Sequence, residues 1–219
     1  MNYLAHYYCL PSNATELHVF GNLLPDIFPA FTKFYNKELK DKNFNDLDSS
    51  FEIIEGIHTH FKIDEIFHHH PLFTENVDLV KGLLKESKLN TKNYVIAHLM
   101  VEFMIDRLLV LNEKNIAIDF YEKCNKISQN KLADFFKNAI KNEDFTNFML
   151  KFNSFLENEY AYRLSTLENI PKALSFIVKN RLGMNITLND EIIIEILDLT
   201  EANMKKNYLT QLQDIQNKL

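Results

Sequence analysis

The distribution of hydrophobic and polar residues predicts a chain built almost entirely from helices. Apolar side chains recur at the helical spacing i, i+3, i+4, i+7, i+8 over residues 132–140, and the same period continues over residues 145–156. No segment shows the strict alternation of a strand, and no repeat or linker divides the chain. We therefore expect an all-α fold, a helical bundle that forms a single domain over residues 1–219.

Capping residues mark the ends of the C-terminal helices. Pro171 and Gly183 bracket one helix, because proline is favoured in the first turn and glycine just after the last. Asn189 follows, and its side chain can cap a last helix that extends through Tyr208.

Two further helices carry the polar residues that depart from the pattern. Ser49 or Ser50 can cap a helix that runs towards His70, where Pro71 stops it. A second helix covers residues 94–111 and is apolar nearly all round, which is typical of a helix at the centre of a fold.

Composition narrows the function classes. With only 4 Gly and 5 Pro in 219 residues, the chain lacks the turns of a β-barrel or sandwich and the glycine-rich loop of a nucleotide site. A net charge of −6 provides no positive field for nucleic acid. Two cysteines fit a reducing compartment, and neither a signal peptide nor a membrane span is evident. We therefore expect a cytoplasmic protein without nucleic-acid or membrane partners.

The first candidate site lies in a histidine-rich segment. Five of the eight histidines fall between His58 and His70, together with Asp64. His60 and Asp64 are four residues apart, so they lie one turn apart on one helix face and can hold one ion. His70 is about 80° off that face, at the helix end, where the chain can return it. The alternative is a solvated helix end at residues 68–70.

The second candidate site lies in the apolar helix. His98, Glu102 and Asp106 have the spacing i, i+4, i+8, and three titratable groups on one buried stripe cost free energy unless something compensates. A divalent metal compensates well, because imidazole nitrogen and carboxylate oxygen are its natural ligands. Alternatively, Arg107 or Lys62 pairs with the two carboxylates.

Two candidates lie near the beginning of the chain. His6 is surrounded by apolar residues, and Asp26 follows Leu24-Pro25. An isolated histidine in such a segment is more often a core residue than a ligand. Together with two histidine–carboxylate pairs on neighbouring helices, however, these residues favour a metal centre.

Five short motifs occur in the same order as in one known family. They are Asn2-Tyr3-Leu4-Ala5-His6, Gly21-Asn22-Leu23-Leu24-Pro25-Asp26, residues 56–71 with Gly56-Ile57-His58-Thr59-His60, the helix of residues 94–109, and Leu167-Glu168-Asn169-Ile170 with Ala173-Leu174 and Arg181. Over residues 2 to about 185 the chain resembles the acyl carrier protein phosphodiesterases, distant relatives of the HD-type metal-dependent phosphohydrolases.

The resemblance implies an all-helical, HD-phosphohydrolase-like bundle with its metal site between central helices. It implies hydrolysis of the phosphodiester that joins 4′-phosphopantetheine to a serine of acyl carrier protein, an activity of fatty acid and lipid metabolism. Manganese is the expected ion, with Zn²⁺, Fe²⁺ or Mg²⁺ as other divalent choices. Metal-site roles carry over to the matching positions, which are His6, Asp26, His60, Asp64 and Glu102, with Asp106 and His70 binding the metal or its ligands.

Departures from the family pattern change the expected ligands. Phe61 stands where the family has an arginine that contacts phosphate, and Phe67-His68-His69-His70 stands where the family has T-D-x-H. Arg107 replaces a family histidine, and His98 is additional. More nitrogen ligands shift the preference towards zinc or iron.

The resulting mechanistic hypothesis assigns catalytic roles to a few residues. One or two ions, held by Asp64 and its neighbours, would bind a phosphate oxygen and acidify a water molecule for in-line attack. His58, His69 or His98 would act as general acid, and Arg107 would supply a positive charge near the phosphate.

The sequence also suggests a docking segment and two alternative functions. Lys172, Lys179 and Arg181 form the clearest basic segment, which is either a docking site for acidic carrier protein or a solvated helix face. The spacing of the ligands is also similar to that of zinc-dependent phospholipase C and single-strand nucleases. A third alternative is a catalytically inert helical binding module.

Overall fold

The computed structural model describes residues 2–28, 49–87, 93–113, 115–139, 145–180, 182–186 and 188–219. These residues form twelve helices and no strand, which confirms the all-α prediction. The helices are α1 Tyr3–Cys9, α2 Glu16–Ile27, α3 Ser49–His68, α4 Pro71–Glu86, α5 Asn93–Asn112, α6 Ile116–Asn125, α7 Gln129–Ala139, α8 Phe145–Asn158, α9 Tyr160–Arg163, α10 Asn169–Asn180, α11 Asp190–Met204 and α12 Tyr208–Gln216. The expectation of a single domain stays a prediction.

Helix α5 lies at the centre of the bundle, as its apolar composition predicts. It contacts α1, α4, α6, α9, α10 and α11. Its side chains are buried from Met100 to Asp106, including both carboxylates of that stretch. The two amphipathic segments at residues 132–140 and 145–156 correspond to α7 and α8, although residue 140 is outside the described residues.

Helices α2 and α3 share the most extensive helix–helix contact among the described residues, and two glycines make it possible. Gly21 on α2 packs against the backbone of Ile53, and Gly56 on α3 packs against the backbone of His18 and Asn22. Because backbone touches backbone here, α3 is held at a fixed distance from α2.

Helix caps near both ends of the chain follow ordinary side-chain chemistry, and the one at Asn189 was predicted. Thr15 Oγ1 accepts a hydrogen bond from the backbone N–H of His18, 3.2 Å away, at the start of α2. Asn189 Oδ1 accepts one from the N–H of Ile192 at 3.1 Å, as the sequence predicts for α11. Gly183 has a φ of 62°, the left-handed conformation that favours glycine after a helix.

Two helix ends differ from the prediction. Helix α3 ends at His68, and Pro71 begins α4 instead of only terminating the preceding helix, because a first-turn proline lacks an N–H that would have no partner anyway. The predicted last helix is two helices, since α11 ends at Met204 and the polar residues 205–207 turn the chain into α12. The backbone N–H of Asn207 closes that turn on the carbonyl of Met204 at 3.0 Å.

Candidate metal centre

The first group of candidate ligands joins helices that are distant in the sequence. His6 on α1 meets His60 and Asp64 on α3, and we call these three residues the inner group. Asp64 Oδ1 lies 3.0 Å from His6 Nε2, and Asp64 Oδ2 lies 3.5 Å from His60 Nε2. One ligand atom from each residue lies within 4.8 Å of the others. The structure therefore places His60 and Asp64 on one face, and α1 adds the third donor.

The second group lies at the junction of α3 and α5. It consists of His68, His98 and Glu102, and we call it the outer group. Glu102 Oε1 lies 3.2 Å from His98 Nε2 and 3.4 Å from His68 Nε2. Burial acts to raise the pKa of Glu102, but hydrogen bonds from His68 and His98 hold it well below its ordinary value. The glutamate is therefore an ionised, buried acceptor for two imidazoles.

Asp64 joins the two groups into one continuous cluster. Its Oδ1 atom, which contacts His6, also lies 4.0 Å from His68 Nε2. The side chains of Asp64, His68 and His98 are 34%, 31% and 21% exposed, whereas those of the other three members are 5% exposed or less. A small molecule therefore reaches the cluster along the edge formed by these three residues, which we call the open edge.

Electrostatics of the inner group prepare it for a cation. Burial lowers the pKa of His60 to about 4, assisted by the positive charge of His6. Burial also lowers the pKa of His6, but the hydrogen bond to Asp64 and the charges of Asp64 and Asp26 raise it more, so that it lies above 6.5. The pKa of Asp64 is held below its ordinary value against burial, because His6 and His60 stabilise its charge. A cation binding here meets an ionised carboxylate and a neutral His60, and it displaces a proton from His6.

The donor set fits a divalent transition metal. Four imidazoles and two carboxylates are the ligands of zinc, iron and manganese sites. In most metal sites the second ring nitrogen of a ligating histidine donates a hydrogen bond that orients the ring. Here the Nδ1 atoms of His6, His60 and His98 are buried without a hydrogen-bond partner in the described part of the chain. Ring packing orients the imidazoles instead, since the His6 and His60 ring centroids lie only 4.4 Å apart. The residues can therefore hold a metal ion.

His68 is a candidate ligand that was not predicted from the sequence. It lies four residues after Asp64, one turn further along α3, so the spacing that paired His60 with Asp64 applies once more. The three histidines at residues 68–70 do not share one environment, because only His68 is still helical and turned towards α5.

Asp26 lies beside the inner group. Its charge raises the pKa values of both His6 and His60. Asp26 also lines a small pocket with His6, Asn22 and several apolar side chains. It belongs to neither three-residue group, so the geometry makes it a neighbour of the inner group that stabilises positive charge there.

His70 does not join the cluster. Its Nδ1 atom accepts a hydrogen bond from the backbone N–H of Leu72 at 3.2 Å and so caps α4. Its Nε2 atom faces Asp214 on α12 at 3.4 Å. The expectation that the chain returns His70 to the metal site is not met, because the residue before Pro71 is extended and its side chain serves the next helix.

Asp106 is buried but faces the backbone of α1. Its carboxylate oxygens accept hydrogen bonds from the N–H groups of Ala5 at 2.9 Å and Leu4 at 3.2 Å. Burial raises its pKa to about 7, although both hydrogen bonds act to lower it. Asp106 thus anchors the helix that carries His6, and the geometry does not place it among the ligands or against an imidazole nitrogen.

This role of Asp106 predicts a pH-dependent loss of stability. Asp106→Asn turns an amide NH₂ towards one backbone N–H, so we expect the free energy of unfolding at pH 5 to fall by about 2–3 kcal/mol. The pKa of Asp106 is about 7 in the folded protein and about 3.9 in the unfolded chain. The free energy of unfolding of the unsubstituted protein therefore falls as the pH rises between these two values. The Asn variant does not lose stability in this way, so the difference in free energy of unfolding between the two proteins should be smaller at pH 8 than at pH 5. Urea unfolding of both proteins in chelator measures this, and a difference that widens with pH would contradict it.

Two predicted catalytic residues lie outside the cluster. Arg107 Nε donates to Glu201 Oε2 at 2.9 Å, and its Nη1 donates to the carbonyl oxygens of Leu164 and Ser165. This guanidinium fixes α11 and the turn after α9 to α5 and is engaged away from the candidate ligands. His58 is exposed on α3 and belongs to neither group. Their catalytic roles stay predictions that the geometry does not favour.

Among the helices in the described ranges, none is both long and apolar enough to cross a membrane. Comparison with protein-family models, with curated proteins and with solved structures finds no match for this chain.

Proposed function

We propose that this protein is a metal-dependent phosphodiester hydrolase of the kind that its motifs resemble, the acyl carrier protein phosphodiesterases and their HD-type relatives. The observation that carries the proposal is the position of Asp64, whose carboxylate lies between the inner and outer histidines and reaches the open edge. Such a ligand set serves phosphate chemistry, because a cation beside an accessible edge can bind a phosphate oxygen.

The inner group and Asp26 have different roles in the proposed reaction. His6, His60 and Asp64 would hold the cation, which when bound would polarise the phosphate and acidify a water molecule for in-line attack. Asp26 stabilises positive charge beside them. Because the inner imidazoles are almost fully buried, the phosphate must approach along the open edge.

A histidine of the outer group is the nearest proton source on that edge. Glu102 fixes His68 and His98 through their Nε2 atoms and keeps both rings beside Asp64. While the outer group holds no cation, the more exposed ring, His68, can when protonated give its proton to the leaving alkoxide. A cation bound to the outer group would take the place of that proton and stabilise the negative charge of the leaving oxygen instead. His68 thus replaces His58 as the proposed acid, because His58 lies outside both groups.

The proposed substrate is holo-acyl carrier protein, and the proposed location is therefore the cytoplasm. Two free, buried cysteines are compatible with a reducing compartment. Lys172 and Lys179 are exposed on α10, which packs on α5, and they would meet the acidic carrier. Arg181, the third residue of the predicted docking segment, lies outside the described residues.

A chromogenic diester tests the reaction class. With Mn²⁺ present, the protein should hydrolyse bis(4-nitrophenyl) phosphate, and chelation should lower the rate at least ~100-fold, since the ion supplies several kcal/mol of transition-state stabilisation. Absorbance of released nitrophenolate measures the rate. If the purified protein binds no divalent ion, and chelation changes neither its rate nor its melting temperature, the proposal fails.

A second assay tests the substrate. Incubation with holo-acyl carrier protein should release phosphopantetheine, which mass spectrometry detects as a mass loss of the carrier. Hydrolysis of a phospholipid or an oligonucleotide with no loss from the carrier would favour the phospholipase C or nuclease alternative. Bound metal without turnover of any diester would leave an inert binding module.

A further inference from the structure

The outer group has a geometry that a proton donor does not need. Two separate imidazoles, His68 from α3 and His98 from α5, both direct Nε2 at the same oxygen of Glu102. Their ring centroids are 4.6 Å apart. A general acid requires one histidine oriented by one acceptor, whereas three converging donors are the arrangement of a ligand set.

From this convergence, and resting on the proposed function, we infer that His68, His98 and Glu102 hold a second divalent cation and that Asp64 is shared between the two cations. The shared carboxylate follows from its position, because Asp64 Oδ1 lies 3.0 Å from His6 Nε2 and 4.0 Å from His68 Nε2. Donors for both ions therefore lie on either side of one side chain.

Apolar packing fixes the outer imidazoles in the orientation that ligation needs. Phe73 of α4 is buried, and its ring lies 5.0 Å from the His98 ring in edge-to-face geometry and 5.4 Å from the His68 ring. Phe67 packs against Phe73, with centroids 4.8 Å apart, and its ring lies 5.8 Å from the His68 ring. Both imidazoles are thus held by a rigid aromatic wall that does not compete for their nitrogens.

Partial exposure makes the outer group suited to a catalytic ion rather than a closed structural one. Glu102 is buried, but His68 and His98 are 31% and 21% exposed on the open edge. A catalytic ion takes three protein ligands and leaves a position for water or substrate. The outer ion would therefore lie nearer the open edge than the inner ion, and the two ions together would clamp the phosphate in the manner of two-metal hydrolases.

Counting bound Mn²⁺ tests the inference directly. After loading with Mn²⁺ and gel filtration, elemental analysis should find two ions per chain in the unsubstituted protein and one in His98→Ala. His68→Asn, at a more exposed position, should also retain one and guards against a folding defect in the first variant. Far-UV circular dichroism checks that both remain helical. The matched control is His69→Ala, which removes a neighbouring exposed histidine whose Nδ1 faces the Glu65 carbonyl, and it should retain two.

Electron paramagnetic resonance adds a readout that does not depend on turnover. Two Mn²⁺ ions that share a carboxylate should give an exchange-coupled spectrum, and His98→Ala should restore the hyperfine pattern of an isolated ion. One ion per chain in the unsubstituted protein, unaffected by His98→Ala, overturns the second site while a hydrolysing enzyme leaves the proposed function intact. Two ions without hydrolysis of any diester support the second site and defeat the proposed function, and no bound ion overturns both.

Discussion

Asp64→Asn should reduce the affinity for Mn²⁺ at least ~100-fold, more than the 10–100-fold typical of losing a residue that only supports a ligand. The carboxylate contacts His6 and His60 through different oxygens and approaches His68 as well. Asparagine removes the negative charge and turns an NH₂ group towards one of these imidazoles, so the metal loses a ligand and gains a repelling donor. Isothermal titration calorimetry with Mn²⁺ measures the affinity, and hydrolysis of the chromogenic diester should fall in parallel.

The adjacent carboxylate provides the control for this substitution. Glu65→Gln makes the same change from acid to amide one residue along α3, but its side chain points to solvent and belongs to neither group of ligands. We expect Mn²⁺ affinity and hydrolysis to stay within about twofold of the unsubstituted protein, because an exposed charge outside the cluster is screened by solvent. Equal behaviour of the two variants would contradict the role of Asp64.

Much of the candidate ligand set follows from helix periodicity alone. His60 with Asp64, and His98 with Glu102, are one turn apart, and such pairs share a face wherever the helix is placed. The buried position of α5 was likewise predictable, because a helix apolar on all sides is stable only when other helices surround it. His6 was a candidate as a polar residue in an apolar segment and through its motif, since nothing in the periodicity of α1 distinguishes a ligand from a core histidine.

Asp106 shows that sequence spacing does not determine which group a buried carboxylate contacts. It continues the stripe of His98 and Glu102 by one more turn, so spacing gives it the same status as a ligand. Whether such a carboxylate binds a cation or a backbone N–H depends on which group lies opposite it in the fold. Opposite Asp106 lies the first turn of α1, with its backbone N–H groups. His70 is a similar case, because its use as a cap depends on where the next helix starts. Both outcomes are tertiary facts that a single helix does not contain.

The geometry of the site also depends on two glycines, and replacing either with alanine should be strongly destabilising. A Cβ on Gly21 would overlap the carbonyl oxygen of Ile53 and lie 2.8 Å from its carbonyl carbon, and a Cβ on Gly56 would overlap the carbonyl oxygen of His18. Backbone atoms cannot rotate away as side chains can, so α2 and α3 must separate. We expect the free energy of unfolding to fall by about 3 kcal/mol or more, seen as a drop in melting temperature of roughly 6–12 °C.

Gly82 is the matched control for these substitutions, because it lies within α4 and a Cβ there meets no atom within 4 Å. Gly82→Ala should raise stability by about 0.5–1 kcal/mol, since alanine loses less backbone entropy in a helix. The glycine contact also bears on the metal, because α3 carries His60 and Asp64 while α2 carries Asp26. Variants at Gly21 or Gly56 that remain folded at low temperature should therefore bind Mn²⁺ more weakly, whereas Gly82→Ala should not. Full Mn²⁺ affinity in a folded Gly56→Ala protein would show that the inner group forms without the close packing of these two helices.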